Sequence, residues 1–243
     1  AQFYLCQIDF KKEKYSDVVS AGKDLLDKKL PAEMATELNR MLGESQYHLG
    51  NSAEAIGYLT DYVNAVDAPE RSALFALGVC EFRKGDYENA KTYVGAVTDA
   101  DDVMAQSAYL FMGQMYLKDD NLNAAALAFE KAYKMPYDES TRETAFYNYA
   151  LAQSRGGRTP FSSSVKLFQD FLNKFPNSRY ASKVEDYIIN SYMTSKDYDN
   201  ALLCIEALKS PSAKMMKAKQ NVLYRLGMRE LQAGKTTSAA DFL

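Results

Sequence analysis

The sequence predicts an all-α fold: a right-handed α-α superhelix of about seven helix-turn-helix repeats, of which the first and last are incomplete. Four pairs of small residues carry this prediction, because in each pair an alanine follows a glycine by twelve positions. The pairs are Gly43 and Ala55, Gly78 and Ala90, Gly113 and Ala125, and Gly227 and Ala239. The first three pairs recur every 35 residues, and self-similarity at this period is typical of stacked helical hairpins.

Each repeat is predicted to form two helices of about 12–14 residues joined by a short turn. In the third repeat the expected turn is the Lys-Gly-Asp-Tyr segment at 84–87, and Ala90, Val94 and Val97 form the buried stripe of the second helix. The paired small residues are expected to face each other and to let the two helix axes approach closely. No segment shows the alternation of apolar and polar residues that is typical of a strand, so we expect no sheet.

Prolines that follow apolar helical patterns mark the joins between repeats, and the acidic segment 99–102 fills one join without proline. In the fifth repeat the twelve-residue spacing is broken, and residues 155–160 (Arg-Gly-Gly-Arg-Thr-Pro) are expected to lengthen the turn. The whole chain, 1–243, is predicted to be a single array. Its repeats are approximately 1–31, 36–69, 71–104, 106–140, 143–178, 182–215 and 220–243, the last being partial.

The composition limits the classes of function. Hydrophobic residues make up 47% of the chain, which is enough for a continuous core. The formal net charge of −3 argues against a nucleic-acid-binding protein, which normally carries a basic excess. No stretch approaches the roughly 18 consecutive apolar residues of a membrane-spanning helix, so we expect no membrane span.

No cofactor, metal ion or catalytic residue is predicted. Cys6, Cys80 and Cys204 lie far apart within apolar helical patterns, so we expect three buried side chains and no disulfide framework. His48 is the single histidine, which excludes a metal motif with two histidines, and it is expected at the rim before a turn. The chain is therefore predicted not to be an enzyme.

Two further motifs have a structural interpretation. Residues 234–236 (Gly-Lys-Thr) look like the end of a phosphate-binding loop, but they occupy the same place in their repeat as the turn at 85–87. Residues 99–102 lack the spaced ligands of a calcium loop. We expect a hairpin turn at the first segment and an exposed acidic join at the second.

At residues 76–90 and 111–136 the chain resembles the tetratricopeptide repeat family. These segments carry the family's Leu-Gly or similar pair, the aromatic residue, the Gly-Asp-Tyr turn or its equivalent, and the alanine that follows. The resemblance covers the whole chain in copies of uneven quality. It implies a protein or peptide partner.

Residues 167–188 are similar to repeats found in bacterial cell-envelope proteins, including outer-membrane assembly lipoproteins and cell-division coordinators. This similarity implies a bacterial protein in the periplasm or associated with the cell envelope. A cytoplasmic location remains the alternative.

The family resemblance also implies which side chains face a partner. First helices line the concave groove of the family, and the groove positions lie three before, one after and four after the small residue. For the second repeat they include Arg40 and Glu44. The predicted protein-binding residues are Tyr47, Phe75, Val79, Phe82, Leu110, Gln114, Leu117, Tyr147, Leu151 and Tyr224.

This set is rich in apolar side chains, and a contiguous apolar stripe on a protein surface commonly marks an interaction site. We expect Phe75, Phe82, Leu110, Tyr147 and Leu151 to form one apolar groove. The alternative for each side chain is packing against the adjacent hairpin. The lysine, asparagine and arginine residues with which chaperone-binding members of the family hold a carboxylate are absent at the matching positions, so that role is not expected.

The predicted function is a non-enzymatic scaffold for protein–protein interaction that binds a peptide or a protein face in the apolar groove. Two alternatives remain open: a structural subunit of a bacterial cell-envelope assembly, and the repeat region of a larger multidomain protein. Self-association is a further possibility, because apolar residues stand near both ends of the sequence. They are Phe3, Tyr4, Leu5, Phe242 and Leu243.

Overall fold

The computed structural model describes residues 1–156 and 161–243, and within these ranges every regular element is an α-helix. The all-helical prediction is confirmed. The described helices are α1 (Gln2–Lys11), α2 (Tyr15–Leu26), α3 (Ala32–His48), α4 (Ser52–Ala65), α5 (Arg71–Lys84), α6 (Tyr87–Gly95), α7 (Val103–Lys118), α8 (Leu122–Lys134), α9 (Glu139–Arg155), α10 (Phe161–Lys174), α11 (Ala181–Ser195), α12 (Tyr198–Glu206), α13 (Ala213–Gln232) and α14 (Thr236–Phe242). Most of the longer turn predicted at 155–160 lies outside the described residues.

The helices group into two compact units, Ala1–Arg142 and Glu143–Leu243. In the first unit, helices α1 to α7 each pack against the helix that follows, and the first helices of successive hairpins also contact one another, α1 with α3, α3 with α5 and α5 with α7. The second unit shows the same scheme, with α10 to α14 packed in sequence and α11 in contact with α13. The repeat boundaries listed above stay a prediction.

The turn inside a hairpin has a recurring local chemistry. Gly85 ends α5 with a left-handed φ of +94°, a conformation that glycine adopts without steric cost. The side chain of Asp86 then accepts a hydrogen bond from the Asn89 amide and caps α6. Asn121 and Asp197 cap α8 and α12 in the same way. Turn and cap together explain why the second helix begins where the sequence predicted it.

The Gly-Lys-Thr segment at 234–236 is also a hairpin turn, as predicted. Gly234 has a φ of +75°, and α14 begins at Thr236. An α-helix precedes this segment, whereas a phosphate-binding loop of this sequence type follows a strand.

The small residues of the first helices lie against large side chains of the second helices. A β-carbon added to Gly43 would stand 2.5 Å from Leu59, one on Gly78 would stand 2.6 Å from Val94, and one on Gly113 would stand 2.5 Å from Phe129. In each hairpin the nearest neighbour is therefore the residue sixteen positions after the glycine, and Leu243 occupies this place beside Gly227. The prediction that each glycine directly faces the alanine twelve positions later is therefore wrong. The alanine is fully buried, but a larger side chain of the same helix fills the space over the glycine.

Hydrogen bonds close the joins between hairpins in the first unit. The Arg71 guanidinium donates to the Val97 carbonyl at 2.8 Å and to the Asp102 carboxylate at 2.6 Å. The fully buried amide of Gln106, which lies 35 residues after Arg71, donates to the Met135 carbonyl at 2.7 Å and accepts from the Asp138 amide at 2.7 Å. In two successive repeats, the side chain at this position thus links the start of one first helix to the start of the following first helix.

The acidic join at 99–102 has a structural use. Asp102 accepts from the Ala105 amide at 2.8 Å and caps α7 while it pairs with Arg71. These two contacts lower the pKa of the Asp102 carboxyl, with the Arg71 hydrogen bond as the largest cause. Asp99 and Asp101 are exposed, as expected.

All three cysteines are free and buried, as predicted. Burial is the largest cause that raises the pKa of each thiol, at Cys6, Cys80 and Cys204. A raised pKa lowers the fraction of thiolate, which is the nucleophilic form.

We expect Gly78→Ala to lower the free energy of unfolding by about 1–3 kcal/mol, because the new β-carbon would also stand 2.9 Å from the backbone nitrogen of Val94, which cannot rotate away. Gly57→Ala is the matched control. Gly57 also lies within a helix, α4, but an added β-carbon would meet no atom within 4 Å. That change should be neutral or stabilising by up to about 1 kcal/mol. Urea unfolding followed by circular dichroism measures both, and equal stability of the two variants would contradict the packing argument.

We expect the three thiols to react slowly with a disulfide reagent at about pH 8, because burial shields them and keeps them protonated. The absorbance of the released thiol measures the rate. Urea should restore reaction of all three within the same assay. Rapid reaction of any thiol in the folded protein would show that its site is open.

Candidate functional site

Three first helices of the first unit line an open cavity of about 250 Å³. We call it the α3–α5–α7 cavity, because each of these helices contributes three residues to its lining. They are Glu44, Tyr47 and His48 from α3, Ser72, Phe75 and Ala76 from α5, and Val103, Met104 and Ser107 from α7. Tyr47, Phe75 and Glu44 stand at positions that the family resemblance indicated.

Phe75 and Phe82 belong to an aromatic cluster that joins two hairpins. Both rings meet the Phe111 ring edge-on, with centroid distances of 6.1 Å for Phe75 and 5.3 Å for Phe82. Tyr87 of α6 completes the cluster at 5.7 Å from Phe82. All four side chains are half-buried, so they contribute both to packing and to the surface. Phe111 was missed, because it lies two positions before the small residue, outside the positions taken from the resemblance.

The structure contradicts the prediction for Val79, which is fully buried. Helix α5 packs against α3, α4, α6 and α7, so it has neighbours on several sides and the residue that follows Gly78 has no exposed surface. The equivalent residue of α3, Glu44, is also largely buried but lines the cavity. The same repeat position therefore has different surroundings in different hairpins.

The other predicted residues of the first unit are half-buried. Leu110, Gln114 and Leu117 lie along α7, and none of them lines the α3–α5–α7 cavity. Tyr47 lines the cavity, and the Arg83 guanidinium stands over its ring at 5.4 Å from the centroid. Burial is the largest cause that raises the pKa of the Tyr47 hydroxyl.

Three predicted residues belong to the second unit. Tyr147 and Leu151 are half-buried on α9, and Tyr224 is exposed on α13. The Tyr147 ring stacks on the Tyr180 ring at 4.1 Å with an interplanar angle of 7°. Packing within its own unit therefore occupies one face of Tyr147. A single groove shared by Phe75, Phe82, Leu110, Tyr147 and Leu151 stays a prediction.

A buried carboxylate gives the α3–α5–α7 cavity its electrostatic character. Glu44 is only 6% exposed, and its Oε1 accepts hydrogen bonds from Arg40 Nη1 at 2.8 Å and from Ser72 Oγ at 3.1 Å. Burial outweighs these contacts and raises the pKa of the Glu44 carboxyl. Arg40 also holds Glu37, with N–O distances of 2.6 and 2.9 Å.

His48 lies at the rim of the cavity. It is the last residue of α3 and is exposed, as predicted, and its ring stacks on Tyr15 at 4.3 Å with an interplanar angle of 9°. Within residues 1–156 and 161–243, no three histidine, cysteine, aspartate or glutamate side chains come together as a possible metal site. Among the described helices, none is both long and apolar enough to cross a membrane. The chemistry that the cavity offers is an apolar wall with one embedded carboxylate.

Comparisons with known proteins give the family. Two sequence profiles described as tetratricopeptide repeat match the chain, one at residues 40–94 and 81–140 and the other at 144–178. Together these matches cover more than half of the chain. No curated protein matches the chain at a significant level.

Solved structures show the same fold at low sequence identity. The C-terminal part of a TPR repeat-containing protein from Cytophaga hutchinsonii superposes with a TM-score of 0.60 at 14% identity, over 99% of this chain and 92% of that one. A tetratricopeptide repeat protein from Parabacteroides merdae gives 0.58 at 16% identity, over 99% and 89% of the two chains. The apo form of RapI gives 0.55 at 11% identity, over 99% and 93%.

Proposed function

Because the chain belongs to the tetratricopeptide repeat family, whose fold commonly mediates protein–protein interaction, we propose that it is a scaffold that binds a peptide segment of another protein in the α3–α5–α7 cavity. The observation that carries this proposal is the cavity itself, which opens between the first helices of three consecutive hairpins.

The lining of the cavity suits a side chain of a partner. Phe75, Ala76, Val103 and Met104 offer apolar surface, and methionine adapts its shape readily to a ligand. Val103 is 53% exposed although it is apolar, so a partner that covers it removes apolar area from water. The volume of the α3–α5–α7 cavity, about 250 Å³, is somewhat below the roughly 300–1,000 Å³ of most small-molecule pockets. This size favours one anchoring side chain over a whole cofactor, and we propose that the chain is not an enzyme.

The test is a peptide selected from a random displayed library on the intact protein, with its affinity measured by fluorescence polarisation. We expect Val103→Ser to weaken binding about tenfold, because the change removes apolar area that the bound peptide would cover and puts a hydroxyl in its place. Leu127→Ser is the matched control. Leu127 is 64% exposed on the second helix α8 and does not line this cavity.

The proposal fails if selected peptides bind Val103→Ser as tightly as the unchanged protein while Leu127→Ser weakens them. That result would move the binding surface to the second helices. Circular dichroism of both variants checks that the fold is kept, which we expect because both side chains are exposed.

A second candidate function is self-association through α1. Tyr4, Leu5 and Ile8 are exposed on this helix by 57%, 58% and 46%, whereas Phe3, which was expected to be exposed with them, is buried. Exposed apolar groups in one patch favour contact with another protein surface. We propose a second copy of the chain as one partner for this patch.

Sedimentation velocity at increasing protein concentration tests self-association. We expect a larger species to form, and we expect Leu5→Ser combined with Ile8→Ser to shift its formation to higher concentration because the change removes apolar contact area. A protein that stays monomeric at every concentration would exclude this second function.

The cell-envelope location is proposed on residues 167–188 alone. This segment also has a packing role, since Phe171 and Phe175 are buried beside Phe146 and the Ser178 hydroxyl donates to Glu143 at 2.6 Å. These contacts account for the phenylalanine and serine residues of the motif without reference to a location. Fractionation of the source cells would decide between envelope and cytoplasm.

A further inference from the structure

We propose that the α3–α5–α7 cavity selects a basic side chain, lysine or arginine, of the bound peptide, with its cationic group at Glu44. This inference rests on the proposed function and names the chemistry of the partner. The aliphatic part of the side chain lies against Phe75, Val103 and Met104 in this arrangement.

The first argument is the unused hydrogen-bonding capacity of the buried carboxylate. An ionised carboxylate has about four acceptor sites. The two hydrogen bonds that Glu44 accepts, from Arg40 and from Ser72, both end on Oε1. Glu44 lines the cavity, so a donor group of a ligand in the cavity can approach this carboxylate. A donor from the ligand would add a third hydrogen bond to the two that Glu44 already accepts.

The second argument is the local charge. One guanidinium, that of Arg40, lies between the carboxylates of Glu37 and Glu44 at distances of 2.6 and 2.8 Å. Within this group of three side chains, two anions with one cation leave one negative charge, and Glu44 is the member that lines the cavity. A buried charge is stabilised by a partner of opposite sign, so a ligand with a positive group complements this wall.

The third argument concerns the aromatic rings near the cavity. A cationic side chain can also be held by the face of a tyrosine ring. The Arg83 guanidinium already stands over the Tyr47 ring at 5.4 Å. Glu44 is the anionic side chain that lines the cavity and offers a ligand cation a charged partner. The apolar residues of α5 and α7 would cover the aliphatic stem, as lysine and arginine stems commonly bury themselves.

The experiment compares two small probes of equal length, n-pentylammonium and 1-pentanol. Each is titrated into protein labelled on its methionine methyl groups, and the signal of Met104 reports binding in the cavity. We expect n-pentylammonium to bind about tenfold more tightly than 1-pentanol, because a charge-assisted hydrogen bond is roughly twice as strong as a neutral one. In the Glu44→Gln variant, the ratio of the affinity for n-pentylammonium to the affinity for 1-pentanol should be close to one.

Glu81→Gln is the matched control. Glu81 is 5% exposed on α5 and pairs with Lys84 at 3.0 Å, but it does not line the cavity. This variant should keep the ratio of the unchanged protein. If Glu44→Gln fails to fold, as judged by circular dichroism, the affinity ratio in the unchanged protein still shows whether the cavity prefers a cationic group.

Three results overturn the inference: a ratio near one in the unchanged protein, a high ratio that survives Glu44→Gln in a folded protein, and no shift of Met104 with either probe. The probes act without any peptide, so their result is separate from the library experiment. Peptides that depend on Val103 but carry no basic anchor would uphold the proposed function and refute this inference.

Discussion

In the hairpins that carry a glycine in the first helix, the close approach of the two helices depends on a missing side chain. Gly43, Gly78 and Gly113 leave room that the residue sixteen positions later fills, with leucine, valine or phenylalanine. Because the space is so tight that a methyl group would collide, each glycine sets the depth at which its second helix sits. The turns and caps have a separate, local origin in residues such as Gly85 and Asp86.

Polar contacts at the joins set the next level of the structure. Arg71 and Gln106 occupy the same position in successive repeats and both close a join. The Arg71 guanidinium binds a carboxylate and a backbone carbonyl, whereas the Gln106 side-chain amide binds backbone groups. Each ties the beginning of one first helix to the beginning of the next. The Arg71 contacts hold the start of α7 beside the start of α5, and both helices line the cavity. The cavity is thus a consequence of repeat stacking, in which each unit contacts its neighbours.

Aromatic residues and the buried carboxylate of Glu44 make different contributions to the first unit. The rings of Phe75, Phe82 and Phe111 join neighbouring hairpins and supply apolar surface that holds its shape. Glu44 places a charge in apolar surroundings, and the proposed selection of a basic side chain rests on that charge. Its neighbours Arg40 and Ser72 reduce the cost of keeping that charge away from water.

The sequence by itself determined the helical hairpins, their turns and the burial of the alanines and cysteines, because these features depend on periodicity and on residues close in the chain. The family resemblance also indicated Tyr47, Phe75 and Glu44 as positions on the first helices. Only the tertiary structure decided that Val79 is covered, that Phe111 joins the aromatic cluster, and that Val103 and Met104 complete the cavity. The physical reason is that exposure at one repeat position depends on the size and offset of side chains from neighbouring repeats. A pattern read along one helix does not contain that information.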